Sequence, residues 1–232
     1  MKQLDNLVAF AEERLKPILH RSGRILYSEA HTLRRGPMYL LGLNPGGDPT
    51  THYDTVGSSL KEILQRTKNA YLDESWRNCA DGRSPLQLRV QWLLTELGFQ
   101  TRDICASNLI FTRSASAIGS GYPEVAELCW PVHEKIIALV QPTFIIAFGN
   151  SGKSPYQFLR QKLSATNEQR FPSGHGAWEC TTFVCSNGMR VFGLPHLSRY
   201  AVSNNPRVAA WVRETTLQQG APSDGPVSRD RG

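Results

Sequence analysis

The sequence predicts an α/β protein: a three-layer α/β/α sandwich around a central, mainly parallel four-stranded sheet. Three observations lead there. Four short runs, "MYLLGL", "ICASNLIF", "TFIIAFG" and "RVFGLP", are continuously apolar, as strands covered on both faces must be. Stretches of helical period fall between them, the alternation that builds a parallel sheet through helical crossovers. A chain of 232 residues with 40% hydrophobic and 20% charged side chains also suits one globular domain with a sizeable core.

Taken in order, a helix over about residues 3–20 precedes the first strand, 38–43. Helical period follows at 58–70 and again in "PLQLRVQWLLTELGF", 85–99, before the second strand, 104–111. "PEVAELCWPVHEKIIALV", 123–140, is a helix that Pro131 should interrupt. The third strand, 143–149, leads into a helix over 154–163. "TTFVCSNGMRVFGL" reads as a hairpin turning at Asn187-Gly188, so the fourth strand, 190–195, has an antiparallel neighbour. A helix over 205–217 ends a single domain, 1–217, and the polar segment 218–232 is expected to be a disordered tail.

Composition narrows the function classes. No apolar run approaches the roughly 18–20 residues that span a bilayer, and acids throughout the first 20 residues do not fit a signal peptide, so a soluble, cytoplasmic monomer is expected. The five cysteines, Cys79, Cys105, Cys129, Cys180 and Cys185, contain no C-x-x-C pair, which argues for reduced thiols, no metal and no cofactor. A net charge of +6 permits a polyanionic partner such as DNA without requiring one.

In an open α/β sheet, ligands bind beyond the carboxyl ends of the strands. That rule selects Asn44, Asn108, the segment Gly149 to Ser154, and His196. The third supports a rival function. "AFGNSGKS", Ala147 to Ser154, fits a loose phosphate-binding loop, with Lys153 as point charge and Ser154 on magnesium, which would make the protein a nucleotide hydrolase. Its place after the third strand and Pro155 directly behind Ser154 favour the plainer reading, a turn that caps a helix.

Three motifs in chain order carry a resemblance. "GLNPG", Gly42 to Gly46, is similar to the first motif of the uracil-DNA glycosylase superfamily, in the form found in its single-strand-selective and mismatch-specific branches. "NLIFTR", Asn108 to Arg113, resembles the strand-end asparagine of that superfamily, and "PHLSRY", Pro195 to Tyr200, resembles its second catalytic motif. The resemblance covers roughly residues 37 to 205 and implies the same four-stranded sandwich.

By resemblance, Asn44 and His196 are the catalytic pair. Asn44 holds the attacking water, and because an amide takes no proton at neutral pH its task is orientation. His196 donates a hydrogen bond to the base oxygen on which charge develops. Asn108 reads the Watson-Crick edge of a flipped base, with Gly42 and Leu43 beside it and Tyr53 stacked upon it. Gly46 stands where the uracil-strict branch carries a blocking tyrosine, so the C5 side of the base is open. Tyr200 occupies the place of the wedge that fills the vacated stack, and Ser198 and Arg199 contact DNA beside it. Arg113, Lys153 and Ser154 lie where phosphates would pass.

Each residue alone also fits an ordinary structural role: Asn44 and His196 in turns, Asn108 satisfying backbone, Gly46 for turn geometry. The sequence departs from the family where Leu197 and Arg199 replace the prolines of the second motif, and it lacks the four cysteines of the iron-sulfur branches. No lysine in the motifs can form a Schiff base, so the implied enzyme is a monofunctional glycosylase that removes uracil or a 5-substituted pyrimidine without cofactor. Repair and antiviral attack on modified foreign DNA both fit; a non-catalytic DNA-binding relative is the third alternative.

Overall fold

Every residue of Met38–Gly42 (β1), Cys105–Asn108 (β2), Phe144–Phe148 (β3) and Arg190–Leu194 (β6) is buried. That is why these segments are mostly apolar and show no in–out alternation: helices cover both faces of the sheet they form. The structure, a computed structural model, describes residues 2–50, 54–116 and 118–217. The expected tail, 218–232, and the stacking tyrosine proposed at Tyr53 lie outside them.

These four strands run parallel, as the apolar runs predict, and the structure sets them in the order β2-β1-β3-β6. The sheet is larger than predicted, however. Glu179–Val184 (β5) pairs antiparallel with β6, and Thr166–Pro172 (β4) pairs antiparallel with β5, giving a mixed six-stranded sheet in the order β2-β1-β3-β6-β5-β4. β5 and β6 are the hairpin expected at Asn187-Gly188, where Cys185 donates to the Met189 carbonyl at 2.8 Å. β4 had no apolar signature to find. Its sequence, TNEQRFP, is almost wholly exposed, and it is held as an edge strand by its ladder with β5.

Successive strand residues point to opposite faces. Tyr39, Leu41, Ile145 and Ala147 pack on one side with the helices α1 (Lys2–Arg14), α2 (Val56–Glu62), α4 (Glu124–Val140) and α5 (Pro155–Lys162). Leu40, Ile146, Phe148 and Phe192 pack on the other with α3 (Pro85–Glu96) and α6 (Pro206–Leu217). The three-layer sandwich follows from that division. Ser84 and Thr55 open α3 and α2 with reciprocal capping boxes, and Pro85 and Pro155 supply the pre-set first turns of α3 and α5.

Three helices differ from the expectation; α2, expected over 58–70, spans only Val56–Glu62. α1 stops at Arg14 because Pro17 cannot continue it, and a short 3-10 turn, Lys16–Ile18, follows. α4 runs through Pro131 without interruption. The proline strands the Glu127 carbonyl, and Arg14 supplies donors there, with Nη2 3.5 Å from Glu127 O and Nε 3.3 Å from Leu128 O. No helix among the described residues is long and apolar enough to cross a membrane.

Candidate active site

The carboxyl ends of β1, β2, β3 and β6 share one edge of the sheet, and the loop after β1 is stitched to the segment after β2. Leu109 donates to Gly42 O at 2.9 Å, Ile110 to Leu43 O at 2.8 Å, and Ser114 to Pro45 O at 3.0 Å. Arg113 completes the seam, donating to Gly46 O at 2.8 Å and to Ser22 Oγ at 3.1 Å, with Asp54 3.8 Å away. Arg113 therefore positions the Gly46 turn.

Gly42 is required by close approach. A Cβ there would stand 2.1 Å from Asn108 Oδ1 and 2.7 Å from Phe148 Cζ, both impossible contacts. The missing side chain lets the Asn108 amide and the Phe148 ring meet over the end of β1. Asn108 is buried, and the nearby Tyr27 phenol is pushed up by burial and held protonated, with Arg24 and Arg113 pulling the other way. Beside Tyr27 stand Tyr71 and Trp76, with ring centroids at 5.9 and 6.1 Å.

Asn44 sits two residues beyond Gly42, half-buried. Its Nδ2 lies 2.8 Å from Pro45 O, 3.2 Å from Ser114 O and 2.9 Å from Ser114 Oγ. Carbonyl oxygens only accept, so these neighbours fix the nitrogen on that side and turn Oδ1 away from them. Ser114 Oγ in turn donates to Ser116 O at 2.7 Å. Asn44 is thus an oriented acceptor, and Ser114 is the residue that orients it.

His196 follows β6, its ring edge-on to Phe148 at 5.6 Å and 83°. The Ser198 amide donates to Nδ1 at 3.2 Å, and Ser198 Oγ lies 2.8 Å from the same atom. An amide N–H cannot accept, so Nδ1 is the acceptor and the neutral ring carries its proton on Nε2. Burial, with Arg199 nearby adding to it, lowers the His196 pKa and keeps the ring neutral. Phe148 thus borders both Asn108 and His196, while Asn44 stands on the β1 loop beside them.

Other predicted residues fall elsewhere. Tyr200 is fully buried among apolar side chains and donates its hydroxyl to Ser173 O at 2.6 Å, so it is not a wedge. The β4–β5 hairpin, absent from a four-stranded plan, supplies that acceptor. Ser154 is also buried, and its Oγ accepts from Gln157 N at 3.3 Å as the cap of α5. It neither contacts DNA nor faces out for magnesium. Ser198 holds His196, whereas Lys153 and Arg199 are exposed as expected and have no ion pair among the described residues. A Cβ on Gly46 would enter open space. Leu43 is buried in the core under the site.

Sequence reasoning missed Ser114, Phe148 and Tyr27. Phe148 reads as one more core residue of β3, and Ser114 gives no signal in a polar loop. Another missed group, His133, braces the site from below: Nδ1 is 2.9 Å from the Tyr39 hydroxyl and Nε2 3.0 Å from Leu109 O. Burial lowers its pKa to about 4. The five cysteines are free, and burial pushes the Cys105, Cys129 and Cys180 thiols up to about 12, which leaves them poor nucleophiles. Among the described residues no group of His, Cys, Asp or Glu is placed to hold a metal ion.

Two hollows lie at the opposite edge of the sheet. One of about 450 Å³ is lined by Leu72, Gln91 and Thr101 ahead of β2; the other, of about 740 Å³, by Gln141, Thr143 and Met189 ahead of β3 and β6. Neither is bordered by Asn44, Asn108 or His196. No protein-family model matches the chain, and no curated protein matches it either.

Proposed function

We propose that the protein is a monofunctional DNA glycosylase that hydrolyses the N-glycosidic bond of uracil or a 5-substituted pyrimidine and leaves an abasic site. The observation that carries this reading is the grouping at one sheet edge of an oriented amide acceptor, a second amide against an aromatic ring, and a neutral imidazole whose free nitrogen bears a proton.

The chemistry assigns each group a task. A nucleotide swings out of the duplex, at a cost of a few kcal/mol in stacking and pairing. Its base meets Asn108, which offers a donor and an acceptor to the Watson-Crick edge. Because Asn108 is 4% exposed, the base reaches it only when the covering side chains shift aside. As the C1′–N bond breaks, the electron pair moves onto the base, and the Nε2 proton of His196 hydrogen-bonds the oxygen that becomes negative. A preorganised donor of that kind is worth about 3–4 kcal/mol in the transition state.

Asn44 Oδ1 accepts a hydrogen bond from a water and aims its lone pair at the sugar carbon. Water supplies the hydroxyl, and its proton leaves with the base or to solvent. General-base catalysis is unnecessary when bond breaking precedes attack, which suits an amide. The open space at Gly46 supports acceptance of a group on C5.

Oligonucleotides bearing uracil, hydroxymethyluracil, hydroxymethylcytosine or glucosylated hydroxymethylcytosine, single- and double-stranded, test the proposal through alkali-labile abasic sites. Asn44→Ala and His196→Ala should each lose excision while retaining DNA binding. Absence of any abasic product across the panel would refute the activity, and magnesium-dependent nucleotide hydrolysis lost in Lys153→Ala would install the rival.

A further inference from the structure

We infer that the loop joining β4 and β5, residues 173–178, is a nucleic-acid contact whose Trp178 ring stacks into the gap left by an unstacked base. The inference rests on the glycosylase reading and names a part that the buried Tyr200 cannot play.

Topology brings the loop to the site. β5 runs against β6, so its first residue, Glu179, lies at the edge where β6 ends and His196 begins. Asn150, in the turn after β3, ties the two together by donating to Glu179 O at 2.7 Å and Gly193 O at 3.0 Å. The loop is then anchored to the His196 segment through the Tyr200 hydroxyl on Ser173 O, 2.6 Å.

The backbone of the loop holds its form without help from the indole. Ser173 donates to Trp178 O at 3.0 Å, Trp178 to His175 O at 3.1 Å, and His175 to Ser173 Oγ at 3.2 Å. Gly174, at φ +75°, passes so close to Asn205 that a Cβ would lie 2.1 Å from its Oδ1. On this frame the Trp178 ring packs against His175, with ring centroids 4.7 Å apart, and Trp178 is 42% exposed. A large flat apolar ring on a braced loop is costly to leave in water and pre-ordered for a flat partner.

The electrostatics name the partner. Lys153, Arg199 and Arg207 are exposed around the same edge and have no carboxylate partner among the described residues, as suits a phosphate backbone. Arg170, by contrast, is neutralised by Glu179 and Glu168. An exposed indole beside unpaired cations, next to the proposed base pocket, fits an unstacked nucleic acid.

The test measures binding at fixed salt to two duplexes, one intact and one containing a tetrahydrofuran abasic analogue. Trp178→Ala should weaken binding to the abasic duplex by about 10- to 100-fold, and at least fivefold more than binding to the intact one. Trp178→Phe, which keeps a flat ring, should restore most of the loss. Equal losses on both duplexes, no loss, or failure of Phe to rescue would each overturn the inference. Excision is scored in parallel. If the wild type excises and Trp178→Ala binds normally, the stacking role falls and the glycosylase stands. If nothing is excised but the abasic preference depends on Trp178, the reverse holds.

Discussion

Gly42→Ala puts the convergence of the site under direct strain. The new methyl would start 2.1 Å from Asn108 Oδ1 and 2.7 and 2.9 Å from two Phe148 ring carbons. To reach even 3 Å the Asn108 amide has to retreat by about 1 Å, and Phe148, buried at 3% exposure, has little room to give. Overpacking of this kind costs about 1–3 kcal/mol, which for a domain of this size lowers Tm by roughly 3–10 °C. Displacing a base-reading group by about 1 Å costs on the order of 100-fold in rate. Thermal melts and single-turnover excision measure the two effects separately. Adding Asn108→Ala removes one of the clashing groups, so the double mutant should melt higher than additivity allows, by about 1 kcal/mol. Unchanged melting in Gly42→Ala, or strict additivity in the double mutant, would refute the argument that these side chains meet over β1.

Other expectations follow from the same geometry. Ser114→Ala removes one acceptor from Asn44 Nδ2 but leaves the carbonyls of Pro45 and Ser114, so excision should slow by only about three- to tenfold at unchanged DNA affinity, with Thr restoring it. A loss of affinity instead would make Ser114 a scaffold residue. By NMR the His196 ring should titrate below 6.5, and Arg199→Ala should move its midpoint upward, because Arg199 adds to the burial that disfavours the charged ring. A midpoint that stays put or falls counts against this account. His133 has a folded pKa of about 4 against an ordinary value near 6.5, so the folded state resists protonation and the unfolded chain does not. Its contribution is intact above pH 6.5 and drains away as pH falls toward 4, on the order of 3 kcal/mol. Denaturant titrations at both ends of that range should show wild type losing more stability on acidification than His133→Gln.

Local sequence determined a great deal about this protein. The parallel strands were legible because burial on both faces favours apolar residues at most positions, and the β5–β6 turn because Asn-Gly is a local chemical preference. Strand-end position also singled out Asn44, Asn108 and His196 before any coordinate was known, since an open sheet presents its ligand edge at those points. What tertiary structure alone decided is whatever depends on a distant partner. β4 exists through its ladder to β5, not through its own composition. Tyr200, expected to be an exposed wedge, is buried because the β4–β5 hairpin covers it, and the same hairpin leaves Trp178 exposed. The direction in which the Asn44 amide faces is set by Ser114, 70 residues away. Periodicity and turn chemistry act over a few residues and are written in order along the chain; burial, tautomer and amide orientation depend on neighbours that only folding brings together.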